Sequence, residues 1–456
     1  MVRLAPRAAQ LGLRRRLEGR LERTADEIGN TLTALDGGYV PAGPSGSPTR
    51  GMWNVLPTGR NFYAVDPQAL PSPAAWETGR RLAGAVLDRY QREQRRYPRS
   101  IGLVIWGTAA MRTHGDDVAQ ALALLGVRPR WQPETGRVTG VEPLPLAELG
   151  RPRIDVTLHI SGLFRDAFPH LVTLLDGAVR LVAGLDEPDA DNYVAAHVRR
   201  DRAALGPAAT LRLFGSPPGG YGAGLLPLID SRHWETAADL ARAYQTWGAH
   251  AYGAGETGER RREAFRTRLE GIDVALKNQD NRGHDLFDSD DYFQYHGGMV
   301  AAVSAVRGAP PEAYFGDSAD PERPAVRSLH EEARRVFRTR VLHPRWLGAM
   351  RRHGYKGAME LAATVDYLFG YDATAGVAAD WMYAGLAERY VLDPQQADFF
   401  RRSNPWALRD VAGRLLEAAG RGMWEHPAPA TLDALRRAYL DVEGDLEPAT
   451  AAGSGR

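Results

Sequence analysis

Two strand–turn–helix units near the middle of the chain constrain its fold more than any other feature. The first runs from IGLVIW (Ile101–Trp106) through GTAAMRTHGDD to a helical DVAQALALLG, and the second from IDVTLHI (Ile154–Ile160) through SGLFRD to FPHLVTLLDGAVRLVAGL. Such repeats predict an α/β fold with a parallel or mixed sheet layer flanked by helices. The loops after the carboxyl ends of parallel strands form the ligand crevice. These loops carry Arg112, Thr113 and His114 in the first unit and Ser161, Arg165 and Asp166 in the second.

The sequence on either side of these units divides the chain into three predicted parts. Residues 1–98 read as an amino-terminal helix at about 12–35, a long ordered loop carrying Trp53, Phe62 and Tyr63, and a second helix from Pro73 to Tyr97. Residues 99–250 form the predicted α/β domain, and residues 251–456 a mainly helical domain. Helical periodicity is expected at 235–253, at 259–277 and from Glu331 onward, with breaks at 217–224 and 281–292.

Composition excludes several kinds of chemistry. The chain has no cysteine, which rules out thiolate nucleophiles, iron–sulfur clusters and cysteine zinc sites, so metal chemistry must use His, Asp, Glu or carbonyl ligands. Its only two lysines, Lys277 in ALKNQD and Lys356 in HGYKGAM, do not fit a P-loop, so any nucleotide belongs to another subunit. A net charge of +1 gives no reason to expect nucleic acid. No apolar run is long enough to span a membrane and the basic start lacks a signal core, so we expect a cytoplasmic protein without a membrane partner.

The densest group of titratable residues is QDNRGHDLFDSDDYFQYHGGM, which spans 279–299. It contains His284, Asp290, Asp291 and His296, and carboxylates and imidazoles are ligands for hard or borderline divalent cations. The spacing is not that of an EF-hand. A run of helix-capping aspartates with surface histidines would give the same pattern, so both interpretations stay open.

A second group lies in RRHGYKGAMELAATVDYLFGYDAT. His353, Lys356 and Glu360 fall at i, i+3 and i+7, so a helix places them on one face. That face is either an acid–base set or a solvated stripe. Arginines offer paired donors to carboxylates, which makes Arg60, Arg112 and Arg165 candidates for anionic groups, although Arg165 and Asp166 also suit a structural salt bridge.

Nine segments taken in order resemble one family: DGGYVPAGPSGSPTRG, LPTGRNFYAVDP, WGTAAMRTHGDD, GRVTGVEPLPLAELGRPRIDV, SGLFRDAFPHL, PPGGYGAGLLPLID, HDLFDSDDYFQYHGGM, RRHGYKGAMELAATVDYLF and NPWALRDVAGRLLEA. From about residue 24 to 445 the chain is similar to the carboxy-terminal portion of the large subunit of cobaltochelatases, whose core is shared with the magnesium chelatases. LPTGRNFY, GYGAGLLPLID and GYKGA resemble the cobalt type. HPRW at 343–346 and His170 depart from the family pattern, and family large subunits are much longer than this chain.

The resemblance implies an ATP-dependent metal chelatase that inserts Co²⁺ into a corrin precursor, hydrogenobyrinic acid a,c-diamide. Co²⁺ would be a substrate, Mg²⁺ with ATP would bind to AAA+ ATPase partner subunits, and no bound organic cofactor is expected. Activity is not expected without the ATPase subunits and the part of the large subunit that this chain lacks. Two alternatives stay open: a magnesium chelatase-like subunit acting on protoporphyrin, and a truncated tetrapyrrole-binding or scaffold protein without catalysis.

The residues that match the family segments are given three expected roles. His296, His353 and Glu360 are predicted to be catalytic. His284, Asp290 and Asp291 are predicted to handle the metal. Arg60, Arg112, Arg165 and Lys356 are predicted to contact the macrocycle.

Overall fold

A mixed sheet organises the computed structural model, which describes residues 15, 17–44, 46, 48, 55–63, 65–253 and 255–453. Its eight strands run in the order β12-β11-β10-β3-β6-β7-β8-β9, and two short pairs, β1-β2 and β4-β5, lie apart. The strands are β1 Ala42–Pro44, β2 Asn61–Tyr63, β3 Ser100–Ile105, β4 Val127–Trp131, β5 Val138–Pro143, β6 Asp155–Ile160, β7 Leu213–Gly215, β8 His250–Gly253, β9 Glu256–Arg260, β10 Val274–Gln279, β11 Glu312–Asp317 and β12 Ala325–Ser328.

The strands from β11 through β10, β3 and β6 to β7 are mutually parallel, and β12, β8 and β9 add antiparallel edges. The described α-helices that precede and surround the sheet are α1 Asp26–Leu35, α2 Pro73–Gln94, α3 Gly107–Thr113, α4 Asp116–Leu125, α5 Leu146–Leu149, α6 Gly162–Ala167, α7 Pro169–Ala183, α8 Tyr193–Leu205, α9 Leu226–Ser231, α10 Ala237–Trp247 and α11 Arg262–Gly271. Those that follow β10 are α12 Asp290–Tyr292, α13 Gly298–Arg307, α14 Leu329–Val336, α15 Pro344–Arg352, α16 Gly354–Ala375, α17 Asp380–Leu386, α18 Pro394–Ser403, α19 Pro405–Gly420 and α20 Pro429–Gly453.

Successive side chains of β3 point to opposite faces of the sheet, and a separate hydrophobic cluster covers each face. Ile101, Leu103 and Ile105 pack on one face with α2, α4 and α7. Val104 points to the other face, into a larger cluster that includes the carboxy-terminal helices. Parallel strands are normally covered on both faces, and β3 and β6 are buried along their whole length. The predicted fold class, an α/β sheet layer flanked by helices and followed by a largely helical region, is confirmed.

Strand β10 corrects the helix predicted for 259–277. The helix in this stretch is α11, and a fully buried central strand follows it. The strand is not recognisable from its sequence, VALKNQ, because three of the six residues are polar. Burial is tolerated because each of the three side chains donates hydrogen bonds, as Lys277 and Gln279 do to backbone carbonyls. The Asn278 amide group donates to Asp117 at 2.8 Å and to Gln120 at 2.5 Å.

Several local predictions also change. The two turns after β3 and β6 are short helices, α3 and α6, and the end of the helix predicted at 235–253 is the strand β8. The helix from Pro73 is confirmed, ending at Gln94, and the helix predicted at about 12–35 includes α1. Trp53 lies outside the described residues. The three-part division stays a prediction, although the sheet takes strands from both sides of residue 250.

Among the described residues, no helix combines the length and the apolar character required to cross a membrane.

Candidate functional site

A cleft of about 650 Å³ opens at the carboxyl ends of β3, β6 and β10. Within the large sheet, β6 lies on one side of β3 and β10 lies on the other. This arrangement is a topological switch point, where loops diverge to opposite sides and leave a crevice. The volume falls within the range of about 300–1,000 Å³ that is usual for ligand sites.

The first wall joins the loops after β3 and β6. The Ser161 hydroxyl accepts hydrogen bonds from the backbone N–H of Phe164 and of Gly107, both at 3.2 Å, and so fixes the start of α6 against that of α3. Gly162 permits the close approach of the next loop, because a Cβ there would lie 2.7 Å from the carbonyl oxygen of Gly220. Trp106, at the end of β3, lines the cleft above this junction.

The second wall is the glycine-rich loop at 216–224, and Arg165 holds it from behind. The Arg165 guanidinium donates to the carbonyl oxygen of Pro217 at 2.7 Å and to both carboxylate oxygens of Asp166 at 2.6 and 2.8 Å. Asp166 in turn accepts a hydrogen bond from the Tyr221 hydroxyl at 2.8 Å. Tyr221 lines the cleft and is 60% exposed. The loop therefore presents an anchored aromatic ring whose surface is available to a ligand.

The third wall carries the acidic and imidazole groups, with Asp291 and His284 lining the cleft. Burial, together with the neighbouring charge of Asp290, raises the pKa of Asp291 to about 6 against the opposing effect of Lys277. A carboxylate with a pKa near neutrality can accept a proton at cellular pH. Tyr295 lines the same wall from a π-helical turn, Phe293–Gly297, a distortion that is frequent at functional sites.

Beneath this wall lies a buried cation that sequence reasoning did not place. Lys277 is fully buried in β10, donates to the carbonyl oxygen of Asn278 at 2.9 Å and lies 4.1 Å from the ring centroid of Trp106. Burial lowers the pKa of Lys277. A cation against the face of an indole is attractive, so Lys277 supports the tryptophan that lines the cleft. The only sequence feature that pointed to Lys277 was the presence of just two lysines in the chain.

The cleft brings together three of the residues that the sequence singled out. Arg112 lies at the rim and forms a paired salt bridge with Asp280, at 2.8 and 2.9 Å. His284 and Asp291 lie on the third wall. Asp290 is adjacent but accepts a hydrogen bond from the Gln294 amide at 2.6 Å. Within the described residues, no group of three or more His, Asp or Glu side chains converges to hold a metal ion, so the expected metal set is not a preformed site.

His296 lies in the core, not in the cleft. It is fully buried, with its Nε2 3.1 Å from the carbonyl oxygen of Ala275 and its Nδ1 3.3 Å from the Tyr371 hydroxyl. Burial lowers its pKa to about 4, so the ring is neutral at cellular pH. The catalytic role predicted for His296 has no geometric support here.

Other predicted residues also lie away from the cleft. Lys356 and Glu360 form an ion pair at 2.7 Å on the outer side of α16, and His353 is exposed at the start of that helix. Arg60 donates to backbone carbonyls of its own loop, those of Pro57 at 2.9 Å and Val55 at 3.0 Å. Their functional assignments stay predictions. Sequence reasoning did not select Trp106, Tyr221 or Tyr295 as site residues.

Comparison with known proteins identifies the family of the chain. The family model described as CobN/Magnesium Chelatase matches residues 5–431. The chain belongs to the CobN/magnesium chelatase family.

Two curated relatives represent the cobalt and magnesium branches of this family. The chain is 52% identical over 427 residues to the aerobic cobaltochelatase subunit CobN of Pseudomonas aeruginosa, covering 91% of this chain and 34% of the relative. It is 34% identical over 438 residues to a magnesium-chelatase subunit of Chlorobaculum parvum, covering 94% of this chain and 34% of the relative.

A solved structure, the catalytic subunit of cobaltochelatase from Mycobacterium tuberculosis, superposes with a TM-score of 0.89 at 62% identity. It covers 92% of this chain and 36% of that one. The chain therefore spans about a third of the length of the CobN/magnesium chelatase proteins that it matches.

Proposed function

We propose that this chain is a large-subunit segment of an ATP-dependent cobaltochelatase, which inserts Co²⁺ into hydrogenobyrinic acid a,c-diamide during cobalamin biosynthesis. The observation that carries the proposal is the cleft, where Asp291 and His284 face an aromatic-lined space in a chain of the chelatase family. The cobalt assignment is supported by 52% and 62% identity to cobaltochelatase subunits, against 34% to a magnesium-chelatase subunit.

The cleft supplies what metal insertion requires. The ring must be held, its two pyrrole N–H groups must lose their protons, and the ion must exchange water for ring nitrogens. Tyr221 offers an exposed aromatic surface to the macrocycle, and the largely buried Trp106 contributes its edge of the cleft lining. Asp291 takes one proton and His284 the other, and both then release their protons to water. The ring loses two protons as one dication enters, so the charge of the ring with its contents is conserved. At the rim, Arg112 is positioned to exchange part of its pairing with Asp280 for a peripheral carboxylate of the substrate.

The energy source and the location belong to the same proposal. The chain has no P-loop, so AAA+ ATPase partner subunits hold ATP with Mg²⁺ and drive the conformational change, and the complex works in the cytoplasm, where ATP is available. The remaining two thirds of a full-length large subunit complete the enclosure of the ring.

Absorbance titration of the purified chain with the corrin precursor tests the proposal. We expect one ring bound per chain, with the metallated spectrum appearing only when Co²⁺, ATP, the ATPase subunits and the rest of the large subunit are added. Protoporphyrin with Mg²⁺ is the matched competitor, because the same chain is 34% identical to a magnesium-chelatase subunit over 94% of its length. Preference for protoporphyrin would indicate a magnesium chelatase subunit instead. Ring binding without metal insertion in the complete mixture would indicate a tetrapyrrole-binding protein without catalysis.

A further inference from the structure

The first described helical segment carries its apolar side chains on the outside. Leu21, Ile28, Leu32 and Leu35 are spaced seven, four and three residues apart, which places them along one helical face. We call these four residues the apolar stripe. They are 53%, 72%, 62% and 79% exposed, and no residue of α1 is buried.

The opposite, polar face of α1 contacts the body of the protein. The Asn30 amide donates to the carbonyl oxygen of Gly59 at 2.6 Å. The two backbones are close at this point, since a Cβ on Gly59 would lie 2.5 Å from the Cα of Glu27. The orientation of the helix is therefore fixed by its polar side. A surface helix normally turns its apolar side toward the protein core. Helix α1 has the opposite orientation, with its apolar side facing away from the protein.

An exposed, contiguous apolar surface marks an interaction site. Leu21, Ile28 and Leu35 repeat every seven residues, and Leu32 lies beside them. A seven-residue repeat suits packing against another helix at a shallow crossing angle. The surface that covers the stripe is therefore expected to be an apolar helical one.

We propose that the apolar stripe is the docking surface for the polypeptide that forms the rest of a chelatase large subunit. The family model begins at residue 5, so the stripe lies within the segment that the chain shares with its family. The chain covers 34% and 36% of its cobaltochelatase relatives. About two thirds of their length thus has no counterpart in these 456 residues, and in these relatives that polypeptide is joined to a segment similar to this chain. The proposal rests on family membership and not on the identity of the metal or ring.

Hydrogen–deuterium exchange on two existing proteins tests the docking surface. The amides of α1 are compared in this chain and, at the aligned positions, in the intact Mycobacterium tuberculosis catalytic subunit. We expect exchange to be at least about tenfold slower in the intact subunit, because docking removes local opening. Equal rates would overturn the proposal.

Two substitutions in the intact subunit separate docking by the stripe from a general effect of chain length. Aspartate at the position aligned with Leu32 is expected to restore fast exchange over the helix. Aspartate at the position aligned with Thr33, which lies on the opposite face, is expected to leave the protection in place. Protection that survives both substitutions would show that the stripe is not the docking surface.

The other possible occupants give different results with this chain alone. Light scattering is expected to show a monomer, and a dimer that Leu32→Asp dissociates would identify a second copy as the occupant. Co-sedimentation with anionic phospholipid vesicles is expected to be absent, and binding that Leu32→Asp abolishes would identify a membrane surface. Either result would overturn the proposal.

Discussion

The cleft and the outer face of α16 are both rich in titratable side chains, but only the cleft has the surroundings that chemistry requires. On α16, Lys356 and Glu360 are solvated and pair with each other along the helix, beside an exposed His353. In the cleft, Asp291 is largely removed from water, and its pKa is raised to about 6. Burial and shape, rather than the number of acids and bases, distinguish the two regions.

The largest effect is expected from removing the base. Asp291→Asn should lower the rate of metal insertion by the assembled chelatase by about 100- to 10,000-fold, the usual contribution of a general base. In the unsubstituted enzyme the rate should fall as the pH drops through about 6, because Asp291 must be ionised to accept a proton. Stopped-flow absorbance of the ring measures both, and Glu360→Gln is the control from α16. An equal loss of metal-insertion rate in the two variants would show that the cleft and α16 do not differ in their importance for catalysis.

The two histidines predicted to be catalytic should differ in what they do for stability. His296→Ala should lower the free energy of unfolding by about 2–4 kcal/mol, because it leaves a cavity and unpaired groups in the core. His353→Ala should change it by less than about 0.5 kcal/mol, as surface substitutions do. Urea denaturation followed by circular dichroism measures both values. A stable His296→Ala variant that binds the ring but cannot insert the metal would support the predicted catalytic role.

Arg165 should act through the loop that it holds. Arg165→Ala should cost about 2–3 kcal/mol of stability, the range for hydrogen bonds to a charged group, and should weaken ring binding through a loosened Tyr221. Arg165→Lys should also be impaired, since lysine cannot reproduce paired donors. Arg266→Ala is the matched control, because both members of its pair with Glu270 are about half exposed and the pair contributes at most about 1 kcal/mol. Loss of stability without loss of ring affinity would show that the loop is not part of the binding surface.

Asp291 should also destabilise the fold at neutral pH. Its folded pKa is raised from 3.8 to about 6, so the folded state retains a proton that the unfolded state has lost. Stability therefore falls as the pH rises from about 4 to 6, and the full cost is present above 6. Asp291→Asn should be more stable than the unsubstituted chain by about 1–2 kcal/mol at pH 7 and similar to it at pH 4. Thermal denaturation at the two pH values measures the difference, and a variant that is less stable at pH 7 would contradict the raised pKa.

The sequence predicts those strands and helices that have a clear pattern of apolar residues. Strands β3 and β6 are continuous apolar runs, and α2 and α7 have clear helical periodicity. Strand β10 was missed because it buries polar side chains, and the partners of Asn278 and the ring that contacts Lys277 are distant in sequence. That strand completes the switch point, so the crevice could be predicted only from its first two loops.

The site was predicted in part for the same reason. Arg112 comes from the loop after β3, where sequence logic places a crevice. Asp291 and His284 were selected only because they belong to the densest group of titratable residues. Arg165 comes from the corresponding loop after β6, but the direction of its side chain depends on Asp166 and Pro217, which sequence does not show. Tyr221 owes its role to a glycine-rich loop that folds over the cleft, and no local pattern marks a tyrosine of that kind.

The most direct test of the account compares two exposed tyrosines. Tyr221 in the cleft wall is 60% exposed and Tyr355 on α16 is 63% exposed, so they differ in location but not in accessibility. Absorbance titration with the corrin precursor should show that Tyr221→Ala raises the dissociation constant about tenfold, within the range for loss of one aromatic stacking surface. Tyr221→Phe should retain most of the affinity, and Tyr355→Ala should bind like the unsubstituted chain. Unchanged binding by Tyr221→Ala, or a loss confined to Tyr355→Ala, would place the ring outside the cleft and contradict the account.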